Sequence, residues 1–395
     1  MPPTEHALLA QISTMTGDEH YKRLILCHCH DFENSSPASF NAAIHPGDQM
    51  LIHSLREHRD AGAAFSQYFN IASQQYSAAR QILRALFGAQ ASEIDVLDFA
   101  CGYGRLLRFL SLAMPPSRIW ASDLQPDAVD FVRDAFGVHG VLSETHPRAF
   151  DPGRRFDFIW VASLFSHLPD ALFKAWLARL IALLTPRGVL CFSVRDVGLL
   201  REGDRLSASA IHYATRSENA DLATDIYGTS YAGEAFVRNA LEAATGDERP
   251  HWRLRKALAN EQDLYVVAAD PRRDLSALRE FRRGPWGWVD VRELSDDGVL
   301  HLQGWAASLD DGAVECVEIE VDGSPYRCTT SITRPDVAAA FGDDRLAHSG
   351  WEFRRDLGRD ACAVHIAVSA RSARGETALL YAGDIRRASG GVAGR

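Results

Sequence analysis

Apolar positions divide the chain into three stretches with different periods. In the first, apolar residues recur at helical spacing over Gln49–Arg56 and again over Tyr68–Phe87. In the second segment Ile71, Gln75, Ala78, Ile82 and Leu86 share one stripe, and Gly88 stands where such a helix should stop. Residues 1–90 therefore read as a mostly helical lead-in.

From residue 91 to 270 short apolar runs alternate with amphipathic helices. Ile94–Phe99, Arg118–Asp123, Phe156–Ala162 and Val189–Val194 have the length and composition of buried strands. Helices are expected from Arg105, from Pro126 (proline near the first helical position) and over Pro169–Leu184, before the break at Thr185-Pro186-Arg187-Gly188. Alternation of this kind predicts an α/β unit with a mainly parallel sheet covered on both faces. Trp252–Lys256 and Asp263–Ala268 read as two strands without a helix between them, which suits an antiparallel pair.

Residues 271–283 are basic, with Pro271 and two arginine pairs, and read as a linker. Beyond them the period becomes two. Val317, Ile319 and Val321 alternate with Glu318 and Glu320, Asp322-Gly323 gives a hairpin signal, and Val364, Ile366 and Val368 repeat the alternation. Trp286, Trp288, Trp305 and Trp351 are candidates for a compact core. Residues 284–388 are expected to form a β-sandwich-like domain, and residues 389–395 a disordered tail.

Bulk properties narrow the function. Of 395 residues, 46% are hydrophobic and 24% charged, as in an ordinary globular protein. No run of about 18 apolar residues suggests a membrane span, and the N-terminus lacks a secretory pattern. The net charge of −10 and the want of a basic stripe argue against nucleic acid as partner. Seven cysteines without a disulfide-like spacing point to a reducing, cytoplasmic setting. Cys27-His28-Cys29-His30 is not read as a metal site, because adjacent residues converge poorly on one ion and no second ligand pair follows at zinc-finger spacing.

The chemistry gathers in Asp98-Phe99-Ala100-Cys101-Gly102-Tyr103-Gly104. An acid at a strand end is followed by small residues and then a helix. Glycines there let backbone amides approach a ligand, and the helix start favours a carboxylate. Asp123 ends the second strand, where an acid can accept hydrogen bonds from ribose hydroxyls. A dinucleotide would need a small residue at Leu107 and would set its pyrophosphate beside Asp98. An ammonium-bearing ligand fits that acid better.

These residues resemble the first motif of class I S-adenosylmethionine (SAM)-dependent methyltransferases, with Ala100 in place of the usual first glycine. Phe156–Ile159 with Ser163–Leu168 resembles their fourth-strand motif, and Thr185–Gly188 the turn before the fifth strand. The resemblance implies a Rossmann-like seven-stranded sheet ending in an antiparallel pair. It also implies SAM as cofactor, held by Asp98, Ala100, Gly102, Gly104, Asp123, Leu124 beside the adenine, and Ser163.

The acceptor is less defined. His167 follows the fourth strand and Asp196 the fifth, both at the edge where ligands bind open sheets, so either can serve as a general base. Their alternatives are a packing histidine and a loop carboxylate. Residues 197–231 form a long insertion at the same edge, with His212, Tyr213, Tyr227 and Tyr231, and read as a lid or acceptor pocket carrying His212 as a third candidate. Gly304-Trp305-Ala306, Val321-Asp322-Gly323, Arg334–Val337 and Ser349-Gly350-Trp351 resemble a β-rich module attached to bacterial methyltransferases and glycosyltransferases of cell-surface polysaccharide clusters. The expected activity is O-methylation of a sugar, a surface polysaccharide or its precursor. The alternatives are a natural-product small-molecule methyltransferase and a non-catalytic SAM-binding scaffold. The C-terminal domain is expected to serve docking or homodimer formation.

Overall fold

The computed structural model describes residues 4–200, 207, 209–216 and 223–387. Four helices come first: α1 (Glu5–Gly17), α2 (Glu19–Cys27), α3 (Gln49–His58) and α4 (Ala61–Phe87). They are not a body of their own. The chain forms two compact units, one of Phe40–Gln49 with Ile71–Arg282, the other of Met1–Ser39, Met50–Asn70 and Arg283–Arg395. The physical reason is that short helices need a partner for their apolar stripes. Helix α4 also begins earlier than its periodicity suggests. Asp60 accepts from Ala63 N at 2.7 Å and starts it, while Ala61, Gly62, Ala63 and Ala64 are too small to register as an apolar stripe. Gly88, at φ +56°, ends it as expected.

In the first unit follow β1 (Val96–Phe99), α5 (Leu107–Ala113), β2 (Ile119–Asp123), α6 (Pro126–Phe136), β3 (His139–Leu142), β4 (Phe156–Val161), α7 (Asp170–Ala182) and β5 (Leu184–Arg195). Then come β6 (Ile211–Ala214), β7 (Thr229–Ala232), α8 (Glu234–Thr245), β8 (His251–Leu258) and β9 (Gln262–Ala268). The main path is β3-β2-β1-β4-β5-β9-β8. Strands β1 to β5 are parallel, and β9 runs antiparallel to both β5 and β8. This is the Rossmann-like seven-strand path with its antiparallel end. Among the described residues the sheet has nine strands, because the insertion adds a hairpin, β6 with β7, joined to β5 at Arg195↔Tyr231. Both β1 and β4 are buried along their whole length. Leu97, Phe99, Ile159, Val161, Leu190 and Phe192 build the core with Phe173, Trp176 and Leu177 of α7.

Helix α7 ends before Thr185–Gly188 as expected, but that stretch is not a turn before the strand. Strand β5 already begins at Leu184, with a register shift opposite Phe156 and Phe158. Side-chain bonds from Thr185 Oγ1 (2.6 Å) and Arg187 Nη2 (2.9 Å) to Asp157 hold the proline-containing stretch beside β4. Residues 271–283 are not a bare linker either. Leu275 and Leu278 are buried around a short 3₁₀ turn, Ser276–Glu280.

The second unit continues with β10 (Pro285–Leu294), β11 (Val299–Ser308), β12 (Cys316–Val321), β13 (Ser324–Cys328), α9 (Pro335–Phe341), β14 (Gly350–Asp356), β15 (Ala363–Arg371) and β16 (Thr377–Arg386). Two antiparallel sheets, β10-β11-β14 and β13-β12-β15-β16, enclose one core. Asp322 (φ +45°) and Gly323 (φ +78°) close the hairpin in which Val321 pairs with Ser324. Of the four tryptophans, Trp351 alone is fully buried; Trp286, Trp288 and Trp305 are half-buried, and the aliphatic rows of β12 and β15 fill the core instead. Ala63 of α4 joins that core. The expected tail, 389–395, lies outside the described residues.

Candidate active site

The loop after β1 is built on three left-handed residues, Ala100 (φ +58°), Gly102 (φ +52°) and Gly104 (φ +78°). Each has a different reason. A Cβ at Gly104 would sit 2.7 Å from the Phe136 ring, so this glycine lets the loop pack on α6. A Cβ at Gly102 would meet nothing within 4 Å, so the loop is open on that side. Ala100 takes the conformation with its methyl group in place, at a cost of roughly 1 kcal/mol in backbone strain.

Asp98 and Asp123 lie at the carboxyl ends of neighbouring strands, where Asp98 pairs with Ala121 and Phe99 with Ser122. The Asp123 carboxylate accepts from Gly102 N at 2.8 Å and from Gln125 N at 3.1 Å, tying the first loop to the second strand. Burial raises its pKa against the lowering effect of these bonds. Asp98 is 3% exposed. Burial first, and the neighbouring Asp123 second, push its carboxyl up to about 8, with Arg105 opposing. A buried acid, Asp98, beside a half-buried one, Asp123, forms a site short of positive charge. An ammonium group at Asp98 and a hydroxyl-rich ribose at Asp123 suit what these residues offer, so the pair and the open loop fit SAM. Leu124, half-buried, follows Asp123.

The sequence did not point to the segment 40–49, which the fold brings to this loop. His45 stacks on Tyr103 with ring centroids 4.5 Å apart and planes 4° apart. Tyr103 donates to Asp127 Oδ2 at 2.6 Å. Arg108 Nη1 donates to the Ala43 carbonyl at 3.2 Å, and Asn41 Nδ2 to that of Ala135 at 2.9 Å. The turn signal His45-Pro46-Gly47-Asp48 was visible, but nothing local tells where such a turn docks.

The other predicted residues are dispersed along the same sheet edge. Ser163, at φ +67°, donates its N–H to Ser193 Oγ at 2.7 Å, and its hydroxyl lies 3.1 Å from Gln262 Nε2. His167 is 2% exposed; its Nδ1 donates to the Gly228 carbonyl at 2.7 Å, and its ring stacks on Tyr227 at 4.4 Å. Gly228 N returns a bond to the His167 carbonyl at 2.8 Å, so this turn anchors the insertion. His212 sits on β6, the outer strand of the hairpin, with its ring 6.0 Å from that of Tyr231. Asp196, the other expected base, is held by its neighbours. It caps a short turn through Gly198 N at 2.8 Å and pairs with Arg253 Nη2 at 2.5 Å. Arg253 also binds Asp263 and Glu234, so the Asp196 carboxylate belongs to an ion-pair network between strands.

A family model described as a methyltransferase domain matches residues 71–236. No curated protein matches the chain. Among solved structures it is similar to an S-adenosylmethionine-dependent methyltransferase from Clostridium acetobutylicum ATCC 824, with 14% identity and a TM-score of 0.35 over 49% of this chain and 92% of that one. It is similar to the sugar N-methyltransferase KedS8 from Streptoalloteichus sp ATCC 53650, with 16% identity and a TM-score of 0.36 over 50% and 88%. A third is the glycopeptide N-methyltransferase MtfA complexed with S-adenosyl-L-homocysteine, with 17% identity and a TM-score of 0.33 over 47% and 89%. The family match runs from α4 through β1, the acid-bearing loop and the β4 edge into α8, so residues 71–236 are similar to a methyltransferase domain.

Proposed function

We propose that this methyltransferase domain holds SAM between the Asp98–Gly104 loop and Asp123 and methylates a hydroxyl of a sugar-like acceptor. The observation that carries the cofactor placement is buried Asp98 beside half-buried Asp123, next to a loop that is open at Gly102. When bound, SAM supplies an electrophilic methyl group on a sulfonium. The chain's own part is to orient and to handle a proton. Asp98 balances the ammonium, Asp123 accepts from the ribose hydroxyls while keeping Gly102 in place, and Leu124 borders the adenine.

Of the three candidates for proton acceptor, His167 fits best. The Gly228 carbonyl fixes the proton on Nδ1, which makes Nε2 the basic nitrogen. Asp196 is engaged by Arg253. The C-terminal sandwich, by its resemblance to modules of polysaccharide-cluster enzymes, serves to dock a glycan or a second protein. Calorimetric titration with S-adenosylhomocysteine (SAH), with NAD as control, tests the cofactor site: saturable binding of SAH alone is expected, and a folded protein that binds neither overturns it. Transfer of labelled methyl from SAM to surface-glycan fractions then tests the acceptor, and exclusive labelling of non-sugar natural products would replace it.

A further inference from the structure

Beyond the acids, the carboxyl edge of the sheet carries a row of neutral polar side chains. Ser193 Oγ donates to Gln262 Oε1 at 2.6 Å and receives Ser163 N. Two residues before Gln262, Asn260 occupies the turn between β8 and β9 at φ +52°. Asn260 is 3% exposed, and neither its Nδ2 nor its Oδ1 has a partner among the described residues. Gln74 of α4 is 8% exposed; its Oε1 accepts from Ala259 N, and its Nε2 has no partner among the described residues. Strand β9 starts opposite the end of β5, with Gln262 facing Arg195, so this turn lies at the edge where open α/β sheets take their ligands.

Buried amides without partners are costly, on the order of 1–3 kcal/mol each, and native proteins leave few of them. A ligand that supplies both a donor and an acceptor removes that cost. Amides offer dipoles and no net charge, so they match hydroxyl or amide groups and give no counter-charge to a carboxylate or an ammonium.

We propose that Asn260 and Gln74 recognise the methyl acceptor, and that the acceptor meets them with uncharged hydroxyl or amide groups. This rests on the methyltransferase reading above. Asn260→Asp and Gln74→Glu test it. Both keep the shape, the second keeps the acceptor for Ala259 N, and both replace an unpartnered donor by an oxygen. SAH affinity is measured first on each protein. Wild-type protein that binds no SAH rejects the cofactor site itself. With SAH bound, the proteins are titrated with methyl α-D-glucopyranoside, D-glucuronate and D-glucosamine. The expected result is binding of the neutral glycoside to wild type, at least tenfold weaker in either variant, with SAH affinity held within twofold. Equal binding in wild type and variants, preference for a charged sugar, or no sugar binding beside intact SAH binding each overturns the proposal. In that case the amides hold interior water only.

Discussion

At the scale of single residues the site is defined by stored electrostatic cost. An acid with a raised pKa favours the folded state at low pH and loses that contribution as pH climbs from its unfolded value towards its folded one. Asp98, pushed up to about 8, therefore makes the ligand-free protein lose stability as pH rises from roughly 4 to 8. Asp98→Asn is expected to raise the melting temperature of the ligand-free protein at pH 8 and to abolish SAH binding; calorimetry and thermal melts read both. The same shift predicts a pH profile. Because the ligand's ammonium favours ionised Asp98, SAH affinity should rise up to tenfold per unit from pH 6 to about 8 and then level off, and a flat profile would remove Asp98 from the ammonium. Asp123→Ala removes a carboxylate that binds two backbone amides; SAH should bind roughly ten- to hundredfold more weakly, as expected for hydrogen bonds to a charged group. These two acids and the two glycines were readable from the sequence because type and spacing alone define them. The engagement of Asp196 by Arg253 was not, since its partner lies 57 positions away.

At the scale of elements, local rules placed the strands and helices well and missed where side chains from afar decide. Strands β1, β2 and β4 lie within a residue or two of their apolar runs. Thr185–Gly188 was expected as a break and turn after the helix; the helix does end before it, and bonds to Asp157 make the stretch part of the strand. The Arg253 network joins the ends of β5, β8, β9 and α8. Asp263 in it is almost fully buried, so Arg253→Ala leaves a buried charge without its main partner. The expected loss is about 3 kcal/mol by denaturant unfolding; a change below about 1 kcal/mol would mean that the network is solvated. His167→Gln examines the β4 edge: kcat should fall by about 10²–10⁴ with SAH affinity unchanged if the ring takes the proton, whereas weaker SAH binding with normal kcat would make it only an anchor for the insertion.

At the scale of the whole molecule, the order of the chain is not the order of the units. Helices α1 and α2 and the start of α4 belong with the C-terminal sheets, while residues 40–49 belong with the unit that carries the β1 loop. Trp351→Ala should therefore destabilise the sandwich unit by about 3–5 kcal/mol while SAH binding stays as in wild type; lost SAH binding at a temperature where the protein remains folded would contradict that division.

By itself the sequence determined the alternation of strands and helices, the acid-and-glycine loop and the hairpins of the C-terminal sheets. Each of these depends on residues close together in the chain, through helical or strand period, φ preference or turn chemistry. Only the tertiary structure decided that Trp351 alone among the four tryptophans is fully buried and that His45 lies on Tyr103. It also decided that Asp196 is held in ion pairs and that the Asn260 amide and Gln74 Nε2 have no partner among the described residues. Those outcomes depend on which distant surfaces meet, and burial and pairing exist only once the chain has closed upon itself.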